Sequence, residues 1–219
     1  MNDFYNFLTG PAAWIAFLTF IIGLVLRVAY LYGLSKERDR VFYNHMDLKW
    51  GLRSIFHWLI PLGSVSLRNQ PIFAIAFYVF HLCLLGVPLF LQAHNMLWHE
   101  AFGISLPSLP EYVADYMTII FIISALFLLL RRIVQPEVRI LTTAWDYFLL
   151  ILTSLPFVTG FLAYHQVGPY QLMLISHILS AEVLLVVVPF SKLGHVILFF
   201  FSRAFIGFEM GQRRGARTW

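Results

Sequence analysis

Apolar residues occur in long runs that short polar segments separate. At about 1.5 Å per residue, a helix of about 20 apolar residues crosses the roughly 30 Å hydrocarbon core of a bilayer. Five runs reach this length: Pro11–Leu34, Pro71–Trp98, Tyr112–Leu130, Leu141–Tyr164 and Gln171–Phe201. The pattern predicts an all-α integral membrane protein, a bundle of five transmembrane helices.

The polar segments are too short to form a separate domain. No repeat or linker divides the chain, so we expect residues 1–219 to form a single membrane domain. One segment is amphipathic, Leu52–Leu62, where Phe56 and Trp58 accompany Arg53 and His57. A helix of this kind is expected to lie at the membrane surface. No segment outside the apolar runs is therefore large enough to hold a substrate site, a dinucleotide or a metal cluster.

Composition agrees with the bilayer as solvent and excludes several kinds of site. Hydrophobic residues make up 60% of the chain and charged residues only 12%, values that exclude an ordinary soluble domain. Cys83 is the single cysteine and lies in the second run. An iron–sulfur cluster and a covalently attached c-type haem therefore cannot form within this chain.

Positive charge is confined to alternate segments. The fifteen Lys and Arg residues follow the first, third and fifth runs or lie near their ends, whereas residues 1–10, 98–111 and 165–170 contain none. The positive-inside rule then predicts a multi-pass protein of the cell inner membrane with its N-terminus outside and its C-terminus in the cytoplasm. The pI of about 9.3 reflects this topology and does not indicate nucleic-acid binding.

Five of the eight histidines lie in or at the ends of the apolar runs, where an imidazole is costly unless it has a partner. His177 and His195 are 18 residues apart, which in one straight helix is five turns, or roughly 27 Å along one face. Two stacked sites near opposite leaflets follow. Bis-histidine haem b takes one imidazole from each side, so a second helix must supply the other pair.

The second run can supply that pair. His81 lies toward its inner half and is expected to face His195, because the second and fifth helices run antiparallel. His94 is 13 residues further on, about 140° away from His81 around a straight helix, although Pro88 can kink the helix between them. His99 matches the face of His81 but lies beside Glu100 at the membrane edge. Spacing leaves both residues open as the partner of His177.

Four motifs lie in or beside the predicted helices. Phe80–Gly86 reads F-H-x-x-L-L-G, and Pro189–His195 reads P-F-S-K-L-G-H with His177 upstream. Leu26–Tyr30 reads L-R-x-x-Y, and Arg131–Asp146 reads R-R-x-x-x-P-x-V-R-x-x-T-T-x-x-D. In this order the motifs resemble the gamma subunit of respiratory nitrate reductase, a dihaem cytochrome b, whose second and fifth helices correspond to the first two motifs. The resemblance covers all five predicted helices.

The resemblance implies which histidines are the axial ligands, and the chain also departs from the family at several positions. The family's spacing for the outer ligand falls on Leu91, and the nearest histidine is His94, so the resemblance favours His94 and keeps His99 as the alternative. Residues 38–70 form a longer segment than in nitrate reductase, and Leu109–Ala114 lacks the lysine found near that family's quinol site. The short chain is more similar to relatives in transmembrane redox complexes of sulfate-reducing bacteria, such as the high-molecular-weight cytochrome c complex.

The expected function is an electron-transfer subunit of a respiratory oxidoreductase complex with two haems b. It would relay electrons between a periplasmic multihaem cytochrome c or the quinone pool and a cytoplasmic iron–sulfur protein, beside a second membrane subunit. Arg27 is expected to neutralise a haem propionate, or else to reach the cytoplasmic surface. Asn95, Trp98 and Glu182 are the expected border of a menaquinone site at the outer haem. The alternative is a haem-free membrane anchor or a proton-conducting subunit.

Overall fold

The computed structural model describes residues 2–38, 43 and 46–211, and in this part of the chain every regular element is helical. The α-helices are α1 Asn2–Phe7, α2 Ala13–Arg38, α3 Leu48–Leu59, α4 Val65–Arg68, α5 Pro71–Phe90, α6 Gln92–Phe102, α7 Glu111–Val134, α8 Pro136–Arg139, α9 Ala144–Tyr164, α10 Tyr170–Val187 and α11 His195–Gly211. A π-helical turn, Leu8–Ala12, joins α1 to α2. The all-α prediction is confirmed for the described residues.

Six of the described helical stretches are long and apolar enough to cross a bilayer. They are Asp3–Arg38, Pro71–Phe90, Glu111–Val134, Ala144–Tyr164, Tyr170–Phe190 and Lys192–Gly211. A chain of this kind is a multi-pass membrane protein that contacts the lipid bilayer. The predicted runs one, three and four each correspond to one of these stretches, with ends that differ by up to eight residues. The orientation and the count of five crossings stay predictions.

Two of the predicted spans are interrupted. The second run ends as a helix at Phe90, because Leu91 takes an extended backbone (ψ 132°) and α6 begins anew at Gln92. The fifth run is divided between α10 and α11 by two 3₁₀ turns, Val188–Phe190 and Lys192–Gly194. Each break follows or contains a proline, Pro88 or Pro189, which cannot donate a helical hydrogen bond. The extrapolation of one straight helix from His177 to His195 was therefore wrong.

The chain forms two compact units, residues 1–71 with 181–219, and residues 72–180. In the second unit, stacked rings connect α5, α7 and α9. The ring centroids of Phe80 and Phe121 are 4.8 Å apart, and those of Phe121 and Phe157 are 3.9 Å apart. Cys83 is buried in the same cluster as a free thiol. This core fixes α5, which carries His81. It also fixes α9, against which the His177 ring lies.

At one end of that unit, polar contacts join the start of α7 to the end of α9. The Tyr164 hydroxyl donates to Glu111 Oε2 at 3.0 Å, and His165 Nε2 lies 2.8 Å from Asp115 Oδ1. At the other end of α9, Thr143 and Asp146 form a capping box that begins the helix. The register of α9 against α7 is thus held by its core and by its terminal side chains.

In the first unit, α3 packs against α11 in antiparallel order. Small residues allow the close approach, since a Cβ added at Gly51 or Gly207 would collide with the Phe208 ring or the Trp50 carbonyl oxygen. Further along, the Arg203 guanidinium lies 3.7 Å from the centre of the Trp58 ring. The predicted amphipathic segment 52–62 is thus a helix that begins earlier, at Leu48, and ends at Leu59. Its residues Leu48, Leu52 and Phe56 are exposed, whereas Gly51 and Ser54 are buried.

Candidate functional site

The rings of His94 and His177 lie together in the second unit. Their centroids are 6.0 Å apart and their planes differ by 17°. Two imidazoles on opposite sides of one metal, each bonded at roughly 2 Å, would place their ring centres at roughly this separation. The spacing therefore fits a pair of axial ligands.

Backbone carbonyl groups fix the chemistry of both rings. His177 Nδ1 lies 2.7 Å from the Pro156 carbonyl oxygen, and His94 Nδ1 lies 3.0 Å from that of Pro88. A carbonyl only accepts, so each Nδ1 must carry the hydrogen. In the neutral ring the lone pair is then on Nε2, the form in which histidine binds a metal while its other nitrogen is held by an outer acceptor.

The break at Leu91 explains why His94 reaches this position. Because α5 stops there, the carbonyl of Pro88 accepts from the His94 ring, and the carbonyl of Phe90 accepts from Leu109 N at 2.8 Å. The angular objection to His94 assumed one straight helix from His81, and the interrupted backbone removes it. The sequence indicated a kink at Pro88. It did not indicate that Leu109, in the loop after α6, would donate to the Phe90 carbonyl at the break.

His99 has different surroundings. It is exposed near the end of α6, and its Nδ1 lies 3.1 Å from Ser105 Oγ. The structure thus brings His94, and not His99, to His177.

The other two predicted ligands have the same hydrogen-bond pattern as His94 and His177. His81 Nδ1 lies 2.8 Å from the Phe77 carbonyl oxygen in the second unit, and His195 Nδ1 lies 3.0 Å from the Lys192 carbonyl oxygen in the first. All four rings therefore carry hydrogen on Nδ1 and the lone pair on Nε2. His165, in contrast, uses Nε2 for its bond to Asp115. Tautomer separates the four predicted ligands from this other histidine.

Glycine and proline on α9 contribute to the His177 site in a way that the sequence did not reveal. A Cβ added at Gly160 would lie 2.8 Å from His177 Nδ1 and 3.0 Å from its Cε1. Gly160 is therefore required for the ring to lie against α9, one turn after the carbonyl of Pro156 that holds it. The Pro-x-x-x-Gly spacing from Pro156 to Gly160 is the signal in the sequence for this close approach.

The side chains predicted to border a quinone site include two with unsatisfied buried oxygens. Asn95 is 5% exposed and donates from Nδ2 to Ser108 Oγ at 2.9 Å, but its Oδ1 has no partner among the described residues. Glu182, in the first unit, is 9% exposed and its Oε1 likewise lacks a partner. Trp98 stacks on Phe102 with centroids 5.7 Å apart. Buried atoms of this kind require a ligand, a water or a proton.

Trp98 also lines an apolar pocket of about 270 Å³ at one end of the second unit. Its walls are formed by Leu89, Trp98, Phe102, Ile104 and Leu106. The pocket offers only apolar contact, so it suits a hydrocarbon group better than a polar one.

Arg27 contacts the break between α10 and α11. Its Nη1 donates to the carbonyl oxygens of Pro189 and Ser191, at 2.7 and 2.6 Å, in the first unit. Its expected role at a haem propionate stays a prediction.

Within the described residues, no three His, Cys, Asp or Glu side chains come close enough to form a metal site. A haem iron takes four nitrogens from the porphyrin and only two from protein. His94 and His177 are two imidazoles at a distance that fits this number.

Comparison with known proteins adds a family but no activity. No family model matches the chain. A protein of Nitratidesulfovibrio vulgaris (strain Hildenborough), named only "Protein", is 47% identical over 218 residues, covering 98% of this chain and 96% of its own length. Identity at this level over nearly the whole of both chains indicates common descent and a common fold. The chain therefore belongs to the same family as this Nitratidesulfovibrio vulgaris protein.

Proposed function

We propose that this protein is a dihaem b subunit of a respiratory redox complex and relays electrons across the membrane. The observation that carries the proposal is the pairing of His94 with His177, two rings 6.0 Å apart that both bond a backbone carbonyl through Nδ1. A histidine that only joins helices through a hydrogen bond can use either ring nitrogen, so that role does not require the shared tautomer. Axial ligation through Nε2 does require it, because each Nε2 must then present its lone pair.

In this proposal each haem has one ligand from the second predicted run and one from the fifth. His94 and His177 hold the outer haem, and His81 and His195 hold the inner haem. Bound haem supplies reversible one-electron oxidation and reduction of iron. The residues of the chain hold the axial rings in one tautomer and orientation and keep the site apolar, both of which tune the reduction potential.

The proposed direction across the membrane rests on the positive-inside rule. With the N-terminus outside, the inner haem lies toward the basic segments and a cytoplasmic iron–sulfur partner. The outer haem lies toward a periplasmic multihaem cytochrome c or toward quinone. A second membrane subunit and the cell inner membrane complete the proposed setting.

Removing one histidine at a time from the complex tests the proposal. Pyridine haemochrome analysis should give about two haems per wild-type chain. His94→Ala or His177→Ala should each remove the outer haem, and His81→Ala or His195→Ala the inner haem. His99→Ala is the matched control and should keep both. A haem content near zero in folded wild-type protein would reject the proposal. If His99→Ala loses the outer haem and His94→Ala does not, His99 replaces His94 as the proposed outer ligand.

We further propose a menaquinone site at the outer haem, bordered by Asn95, Trp98 and Glu182. The support is chemical, since quinol oxidation needs a hydrogen-bonding group and a base that passes on protons. The buried oxygens of Asn95 and Glu182 are of these types, and the apolar pocket at Trp98 suits a hydrocarbon tail. A menaquinol analogue should reduce the haems rapidly in wild type and slowly in Glu182→Gln. If the analogue does not reduce the haems of wild type but an external c-type cytochrome reduces them rapidly, the quinone role is rejected.

A haem-free proton-conducting subunit is the second candidate, and buried Glu182 favours it. A buried carboxyl group in an apolar helix, here with Oε1 lacking a partner among the described residues, is a candidate for a proton path. The two candidates differ in one measurement, the reduced-minus-oxidised absorption spectrum of the purified protein. Sharp α and β bands support the dihaem proposal, and a flat spectrum in folded protein supports the second candidate.

A further inference from the structure

The break between α10 and α11 leaves carbonyl groups that no helix satisfies. Pro189 has no N–H, and Ser191 is extended, with φ −123° and ψ −176°. The segment is nevertheless ordered by its own turns, because Leu193 N donates to Ser191 Oγ at 3.1 Å and Gly194 N to the Ser191 carbonyl at 3.2 Å. His195 follows directly and begins α11.

Arg27 of α2 satisfies the carbonyls of this break. One nitrogen, Nη1, donates to both Pro189 O and Ser191 O, at 2.7 and 2.6 Å. Hydrogen bonds from a charged donor are stronger than neutral ones. The guanidinium also lies near the C-terminal end of α10, where the helix dipole favours a positive charge.

Glycines on both sides close α2 onto the break. A Cβ added at Gly23, one turn before Arg27, would lie 2.7 Å from Pro189 Cβ. A Cβ added at Gly194 would collide with Arg27 Nη1 and lie 3.0 Å from its Cζ. Pro189, Ser191 and Gly194 are themselves buried. The guanidinium therefore occupies a fitted position directly before His195.

We infer that Arg27 is a positioning residue for His195, and that it acts by holding the break from which α11 and this histidine start. The inference rests on the proposed function for its consequence, the orientation of an inner-haem ligand. It differs from a propionate contact, which would act through charge on the haem itself. We call the contact of Arg27 with the backbone carbonyl groups of Pro189 and Ser191 the clamp.

Backbone hydrogen exchange in the full-length protein separates the two roles. Arg27→Ala removes hydrogen bonds from a charged donor, so the amides of residues 191–194 should exchange at least roughly tenfold faster. His81→Ala is the matched comparison, since in the proposed function it loses the same haem and keeps Arg27. Arg68→Ala, an exposed arginine in the same unit, controls for the loss of charge. Both should exchange near the wild-type rate in this segment.

The inner haem provides a second readout. Arg27→Ala should weaken the occupancy of the haem at His195 by roughly 10- to 100-fold and change its low-spin electron paramagnetic resonance signal, with the outer haem unchanged. Should the alanine variant not fold, Arg27→Lys keeps the charge but loses the planar guanidinium, and should accelerate exchange in the same segment to a smaller degree. Exchange unchanged in both variants, or equal in Arg27→Ala and His81→Ala, overturns the inference. Absence of haem in wild type would reject the proposed function, and the exchange comparison would still test the clamp.

Discussion

At the scale of single residues, the tautomer of a histidine carries more information than its position. His81, His94, His177 and His195 each bond a carbonyl oxygen through Nδ1. Three of the acceptors are three to six residues away in the chain, and the fourth, Pro156, belongs to another helix. A carbonyl that accepts from Nδ1 both orients the ring and leaves the lone pair on Nε2.

Gly160 provides a residue-scale prediction. Gly160→Ala would place a methyl group 2.8 Å from His177 Nδ1, so the ring must move away from the Pro156 carbonyl. In the proposed function, the occupancy of the outer haem should fall roughly 10- to 100-fold, as for loss of an outer-shell contact, while the inner haem is retained. The measurement is haem content together with the reduced-minus-oxidised spectrum.

The control for this substitution is Gly33→Ala in α2, where an added Cβ meets no atom within 4 Å. It changes a helical glycine in the same way without a steric conflict. Equal haem content in the Gly160 and Gly33 variants would show that the close approach of Gly160 to His177 is not needed.

At the scale of helices, breaks decide where the functional side chains lie. Both long runs that carry histidine pairs are divided, at Leu91 and between Val187 and His195. Elsewhere the helices follow their caps, as at Asp47, whose side chain accepts from Lys49 N at 2.9 Å. Carbonyl groups freed at a break must find donors in a membrane, and here they receive them from His94, Leu109 and Arg27.

The α3–α11 pair provides a prediction at this scale. Gly207→Ala places a Cβ 2.7 Å from Ser54 Cβ and in collision with the Trp50 carbonyl oxygen, so the helices must separate. We expect a loss of about 1–3 kcal/mol of stability, the usual cost of overpacking. Thermal unfolding in detergent should show a lower Tm, with Gly33→Ala as the control. An unchanged Tm would mean that α3 is not held closely against α11.

At the scale of the whole molecule, charge and apolar length set the relation to the bilayer. Six described stretches are long and apolar enough to cross it, and the basic residues of the sequence are absent from residues 98–111 and 165–170. Lipid is the principal solvent of this surface, which explains the many exposed large apolar residues, such as Ile15, Ile72 and Leu141.

The topology provides a prediction at this scale. The C-terminal segment from Gly207 onward, of which residues 212–219 lie outside the described part, contains Arg213, Arg214 and Arg217 and should face the cytoplasm. There it would offer positive charge to a soluble redox partner. A reporter that works only in the cytoplasm should be active when it is fused after Trp219 and inactive when it is fused at residue 105. A reporter that works only outside should give the opposite result. Activity of the C-terminal reporter on the outer side would reject this topology and the partner argument.

The sequence alone was sufficient for the helical class and for the presence of several apolar runs long enough to cross a bilayer. These depend on local composition and periodicity, because any apolar run of about 20 residues must satisfy its backbone within a helix when lipid surrounds it. Cys83 was expected to form no disulfide within the chain, because it is the single cysteine. Pro88 and Pro189 marked where a helix was weak.

Tertiary structure decided which histidines meet and what holds them. A straight helix from His177 to His195 was excluded by the 3₁₀ turns, and His94 reached His177 only because the chain at Leu91 is extended and supported by Leu109. Arg27 bonds a backbone 162 residues away. A proline shows that a hydrogen bond is missing, but the replacement donor comes from a distant segment. Its identity therefore depends on three-dimensional packing, which periodicity along one helix does not contain.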